Sequence, residues 1–357
     1  MKRCAVAVLV ALSVACSSGR TAVSSPAPAV PSPSPSVSPA PAAGMTLDEE
    51  VGAVMMVGFR GALTGAVLTD WTRHQYGGLL IVNLNQNVST AADTRALIAE
   101  LRRVTRHRLI AATDQEGGGV CIALSAVPCR PMPVGEGDTR VMASALRSLD
   151  FDLDLGPVSD VCSGPSSVMW GRCYGTDPAA VANAVGAVVD GIHAAGMLSA
   201  AKHFPGHGDT SVSSESSLPR IDESHDQMLA RDWPPFETAI QHETDFVLVG
   251  HLFFPALDPH RSADLSPATY NFLRADLKFH GAILSDDMEM GAITSSTPTP
   301  EAAVQFLLAG GDMVMVAHDR SVADATFDAI KAAVESGRLP RRRLDDAVTA
   351  LTDVRAS

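Results

Sequence analysis

The sequence predicts an α/β fold, a single-domain (β/α)8 TIM barrel, from three observations. Short apolar runs rich in Val, Ile and Leu recur after residue 44, eight of them, alternating with stretches of helical periodicity. Several are apolar throughout, which suits strands covered on both faces, as in a parallel sheet wrapped by helices. The chain beyond residue 44 is long enough for one barrel with a few extended loops, and no second linker or internal repeat interrupts it. An open doubly wound sheet fits less well, because no glycine-rich phosphate fingerprint follows the first apolar run.

In chain order, the expected strands are 51–59, 78–84, 109–113, 151–157, 197–202, 246–250, 282–285 and 313–317. Helix-like segments between them include 90–105, 178–195, 300–308 and 321–336, each beginning near a Ser, Thr, Asp or Pro that can cap a first turn.

Ahead of the barrel (45–357), Lys2 and Arg3 precede an apolar run that ends in Ser13-Val14-Ala15-Cys16. Residues 1–15 read as an export signal, too short for a stable membrane anchor. A cysteine directly after small residues suggests lipid attachment at Cys16; the other reading is an ordinary secretory signal. Residues 16–44 read as a Pro/Ala/Ser-rich spacer, extended rather than packed. The protein is therefore expected outside the cytoplasm, as a membrane lipoprotein facing outwards or in secreted form. A monomer is expected, touching the membrane through its lipid alone.

The net charge of −13, with no basic run against it, disfavours nucleic acid as a partner. Beyond Cys4 and Cys16, four cysteines remain in a chain bound for an oxidising compartment. Cys121 with Cys129 and Cys162 with Cys173 are nearest in sequence, although four cysteines allow three connectivities. A zinc site fits poorly, because the spacings do not follow the usual short ligand pairs.

Barrel enzymes build their sites at the carboxyl ends of the strands. Here those ends carry Asp114-Gln115-Glu116-Gly117-Gly118, the run from Lys202-His203 to His207-Gly208-Asp209, His251, Ser285-Asp286-Asp287 and His318-Asp319. Carboxylates, imidazoles and a lysine without a metal-ligand motif suit displacement at a sugar carbon, where one carboxylate attacks and a second group protonates the departing oxygen. Asp286 is the expected nucleophile. Asp287 reads more simply as a helix cap, and His207 as a loop brace.

These runs, with Arg172 and Tyr174-Gly175-Thr176-Asp177-Pro178, resemble the barrel domain of family three glycoside hydrolases, in particular the single-domain beta-N-acetylglucosaminidases (beta-N-acetylhexosaminidases) that trim peptidoglycan fragments. The resemblance spans residues 45–357. It implies that Asp286 forms a covalent glycosyl-enzyme intermediate, that Asp114, Arg172, Lys202 and His203 hold sugar hydroxyls, and that no cofactor is needed. The expected partner is an N-acetylglucosamine-containing glycan.

Two departures stand out. Ile122 occupies the place where the resemblance leads one to expect a sugar-binding arginine. The loop after the fifth strand reads Ser213-Ser214-Glu215 where the family carries Asp-Ser-His, with the histidine as acid/base. Glu215 is then the candidate proton donor, while His225, ten residues on, is expected at the surface. Alternatives are a sugar-binding cell-wall lipoprotein that has lost turnover, or a related glycosidase or phosphorylase with another sugar preference.

Overall fold

The computed structural model describes residues 44–122, 124, 127 and 130–356. The export signal, Cys16, nearly all of the spacer and Cys129 lie outside them. The strands are β1 Met55–Val57, β2 Gly78–Leu80, β3 Ile110–Thr113, β4 Leu153–Asp154, β5 Leu198–Phe204, β6 Phe246–Val249, β7 Ala282–Asp287 and β8 Met313–Val316. Each pairs in parallel with its successor, and β8 closes on β1 with Met55 opposite Val314. Every strand residue is buried, because side chains pointing inward fill the barrel and those pointing outward meet helices.

Around the barrel run α1 Leu47–Ala53, α2 Gly65–His74, α3 Ala91–Val104, α4 Glu136–Arg147, α5 Pro178–His193, α6 His225–Arg231, α7 Trp233–Gln241, α8 Pro267–Asn271, α9 Gly291–Thr294, α10 Thr299–Ala309, α11 Arg320–Glu335 and α12 Arg341–Ala356. Starts are set locally. Asp177 accepts the Ala180 N–H at 2.8 Å with Pro178 in the first turn, and Thr90 and Asp93 exchange side-chain and backbone bonds at the head of α3.

The first expected strand, 51–59, is corrected. Residues 51–53 belong to α1, because Thr46 and Glu49 form a capping box ahead of them. Val51 and Ala53 are apolar because they face the core from a helix, and the strand begins only at Met55.

At the amino-terminal face, carboxylates serve stability. Asp312 accepts from the Ile283 N–H and takes Arg274 and Arg343; Asp152 accepts from the Ala111 N–H and takes Arg102. At the opposite face, the pairing register shifts between Ala201 and Phe204 on β5 and between Leu284 and Asp287 on β7. Such irregularities re-aim side chains, and these two strands carry Lys202, His203 and Asp286.

Candidate active site

The carboxyl ends of the strands enclose a cavity of about 270 Å³ lined by Asp114, Arg172, Lys202, His203, Glu215 and Asp286, among others. All six residues expected to bind or transform a sugar thus face one space. β5 and β7 extend further than expected, to Phe204 and Asp287, so His203 and Asp286, like Lys202, stand on strand residues rather than on loops.

Lys202 and Arg172 converge on Glu116. Arg172 donates from Nε and Nη2 to Glu116 at 2.8 and 2.6 Å; Lys202 Nζ lies 2.7 Å from Glu116 and also pairs with Asp114. Burial pushes the Glu116 carboxyl up, but the Lys202 ammonium and the Arg172 guanidinium outweigh it and hold it at about 2. Beneath lies Asp154, fully buried, which accepts the Gln115 N–H at 3.0 Å and is pushed up to about 8 by burial.

His203 donates from Nδ1 to Asp160 at 2.8 Å, and the same carboxylate accepts the His207 N–H at 2.6 Å. Glycines allow this fold of the loop. A Cβ at Gly208 would stand 1.9 Å from the Val161 carbonyl oxygen, and Gly206 has φ +134° against Asp232. His207 does brace the loop, with Nε2 3.3 Å from the Ser214 hydroxyl, yet it also lines the cavity; burial pulls it down to about 4, so it is neutral.

Asp286 is buried and accepts the Asp287 N–H at 2.9 Å. Burial alone raises its pKa, but His203 and His251 prevail and hold it below the usual aspartate range. Asp287 ties β7 to the end of β8 by accepting the N–H of Ala317 at 3.0 Å, and it braces its own turn by accepting that of Glu289 at 3.1 Å. Burial and Glu289 push it up to about 7. It is a brace at the cavity edge rather than a helix cap.

Glu215 is exposed at the cavity mouth, on a loop whose carbonyls hold the start of α9: Glu215 accepts the Gly291 N–H at 2.9 Å and Ser214 the Ala292 N–H at 3.0 Å. Desolvation, and next the Asp286 charge, push its carboxyl upwards. His225 is exposed outside the cavity, its ring 4.8 Å from that of Trp233. Ile122 is buried, gives its N–H to Gln115 at 2.8 Å and lines a side groove with Val82 and Asn83. Among the described residues no metal-binding group of three or more His, Cys, Asp or Glu occurs, and no helix is long and apolar enough to cross a membrane.

Cys162 and Cys173 form a disulfide, with Cα atoms 6.1 Å apart. It staples the loop that presents Met169 and Arg172 to the cavity. The expected Cys121–Cys129 pairing involves a residue outside the described ones.

Sequence reasoning assigned no role to Glu116, Asp160 and Asp264. Glu116 was visible, two residues after Asp114. Asp160 could have been found as a polar residue just past the fourth strand; Asp264, thirteen positions from His251, carried no local signal.

The model of the glycosyl hydrolase family 3 N-terminal domain matches residues 46–354. A beta-hexosaminidase from Idiomarina loihiensis is 30% identical over 269 residues, 71% of this chain and 81% of that protein. One from Pseudomonas aeruginosa is 32% identical, over 72% of this chain and 80% of its own length. Among solved structures, a family 3 beta-N-acetylglucosaminidase from Paenibacillus superimposes with a TM-score of 0.84 at 31% identity, covering 87% of this chain; the chain spans 62% of that protein's length. LpqI of M tuberculosis gives 0.79 at 28% identity, covering 87% of this chain and 94% of its own. The chain belongs to glycosyl hydrolase family 3, as a beta-hexosaminidase-like glycoside hydrolase.

Proposed function

We propose that the protein is a retaining exo-glycosidase that releases beta-linked N-acetylglucosamine from peptidoglycan-derived or related glycans. Asp286 attacks the anomeric carbon, and Glu215 protonates the departing oxygen and then activates water. The observation that carries this reading is the pair itself: two carboxyls on one cavity, one held low and the other pushed up. Divergent environments of this kind separate a nucleophile from an acid. Asp114, Arg172, Lys202 and His203 supply charged donors and acceptors suited to sugar hydroxyls. A cavity of about 270 Å³ supports one terminal sugar rather than a long chain. The beta-hexosaminidase and beta-N-acetylglucosaminidase relatives support the sugar class.

No cofactor enters this mechanism. The enzyme acts outside the cytoplasm, as a monomer tethered through Cys16. The deciding experiment treats the protein with a slow fluorinated N-acetylglucosaminyl donor and maps the labelled peptide. Label on Asp286 supports the reading; binding without label or turnover favours a sugar-binding lipoprotein, for which the exposed position of Glu215 speaks. Sugar phosphate formed in phosphate buffer identifies a phosphorylase.

A further inference from the structure

Against the end of β7, bonded to the residue after the proposed nucleophile, lies a histidine that the proposed chemistry does not use. His251 follows β6 and is fully buried. Its Nδ1 lies 3.1 Å from the carboxylate of Asp264, and its Nε2 lies 2.9 Å from the backbone carbonyl of Asp287. A carbonyl oxygen only accepts, so Nε2 carries a hydrogen, and the Asp264 carboxyl oxygen is placed to accept a second hydrogen from Nδ1. A ring with both nitrogens protonated is an imidazolium.

We propose that His251 is a positioning residue, a buried imidazolium fixed between Asp264 and the Asp287 carbonyl, which keeps Asp286 anionic and eases its release from the glycosyl ester. This rests on Asp286 being the nucleophile. Burial of the ring opposes its charge, yet Asp264, with Asp286 and the Asp287 carbonyl behind it, pushes it up to about 9. The groups acting on Asp286 are Lys202 and His203 on β5, His207 and Glu215 on the loop that follows, His251 after β6, and Asp287 beside it on β7. His318, after β8, reaches Asp287 at 3.5 Å. Asp264, on the turn Ala263–Leu265, balances the imidazolium charge.

The imidazolium has a directional effect on the reaction. It stabilises the carboxylate but gives little to the neutral ester, so it favours the second half of the cycle over the first. In that half, water attacks the anomeric carbon and its proton passes to Glu215. The bond from that carbon to the Asp286 oxygen breaks, and its electron pair returns to the Asp286 carboxylate.

The test has two arms. In the parent protein, nitrogen NMR of the His251 ring should show both nitrogens protonated at pH 7.5; a neutral tautomer there overturns the proposal. His251→Gln keeps a donor without charge, and Asp264→Asn removes the anion that holds the ring charged. In both, the acid limb of kcat/KM should move to higher pH, giving roughly tenfold less activity at its foot with the plateau little changed. KM should fall together with kcat as the glycosyl-enzyme accumulates. Folded variants with the parent's acid limb and with the parent's separate values of kcat and KM overturn the role. Absence of label on Asp286 in the parent overturns the nucleophile assignment itself, and this inference with it.

Discussion

Arg172 grips Glu116 through two donors at 2.8 and 2.6 Å, so the residue expected to read sugar hydroxyls is first of all the half-buried member of an ion pair whose carboxylate is fully buried. Lys202 adds a second cation at 2.7 Å. Glu116→Gln takes away the carboxylate that Arg172 pairs with and leaves Lys202 paired with Asp114 alone, and should cost about 3–5 kcal/mol in urea unfolding. The folded-state pKa is depressed, so the ionised Glu116 contributes stability above its ordinary value of 4.5 and loses it as pH falls towards about 2. Acid unfolding should steepen across that window in the parent and flatten in the variant.

Asp286→Asn should abolish hydrolysis while sugar binding, followed by calorimetry, persists. Loss of the covalent route should lower kcat by about 10⁴-fold, roughly 5 kcal/mol. If Asp287→Asn instead proves the more damaging change, the nucleophile has been assigned to the wrong carboxylate.

A free glutamic acid titrates at about 4.3, too low to hold a proton near neutrality. Desolvation and Asp286 push Glu215 upward, which raises the fraction still protonated. Glu215→Gln should slow natural disaccharides far more than activated aryl glycosides, and should remove the alkaline limb of the pH profile. Azide should restore turnover of the aryl substrate. Parent-level activity of the variant on a disaccharide would refute the assignment.

Removing the Cys162–Cys173 bridge should cost on the order of 2–3 kcal/mol, because it closes a short loop in the unfolded chain. The same change should raise KM, since that loop presents Arg172. Free-thiol titration of the unfolded, unreduced domain should find none if Cys121 and Cys129 are paired as well.

A Cys16→Ser change should release the protein into the medium or leave it unprocessed. Membrane fractionation reads this directly, and unchanged partitioning counts against the lipid anchor.

Much of this molecule was legible in one dimension. The order of apolar runs determined a closed parallel barrel, because strands covered on both faces leave few other solutions, and the polar residues ending those runs located the cavity. Local competition was harder to read: 51–53 is as apolar as a strand, yet the capping box at Thr46 and Glu49 makes it helix. Only the tertiary structure decided which carboxylates line the cavity and which hold the cations that line it. Glu116, Asp160 and Asp264 act on residues 56, 43 and 13 positions away, and no local periodicity records such pairings. The opposite tuning of Asp286 and Glu215 has the same origin. Burial and neighbouring charge depend on which loops meet at the barrel mouth, and closure of the ring settles that.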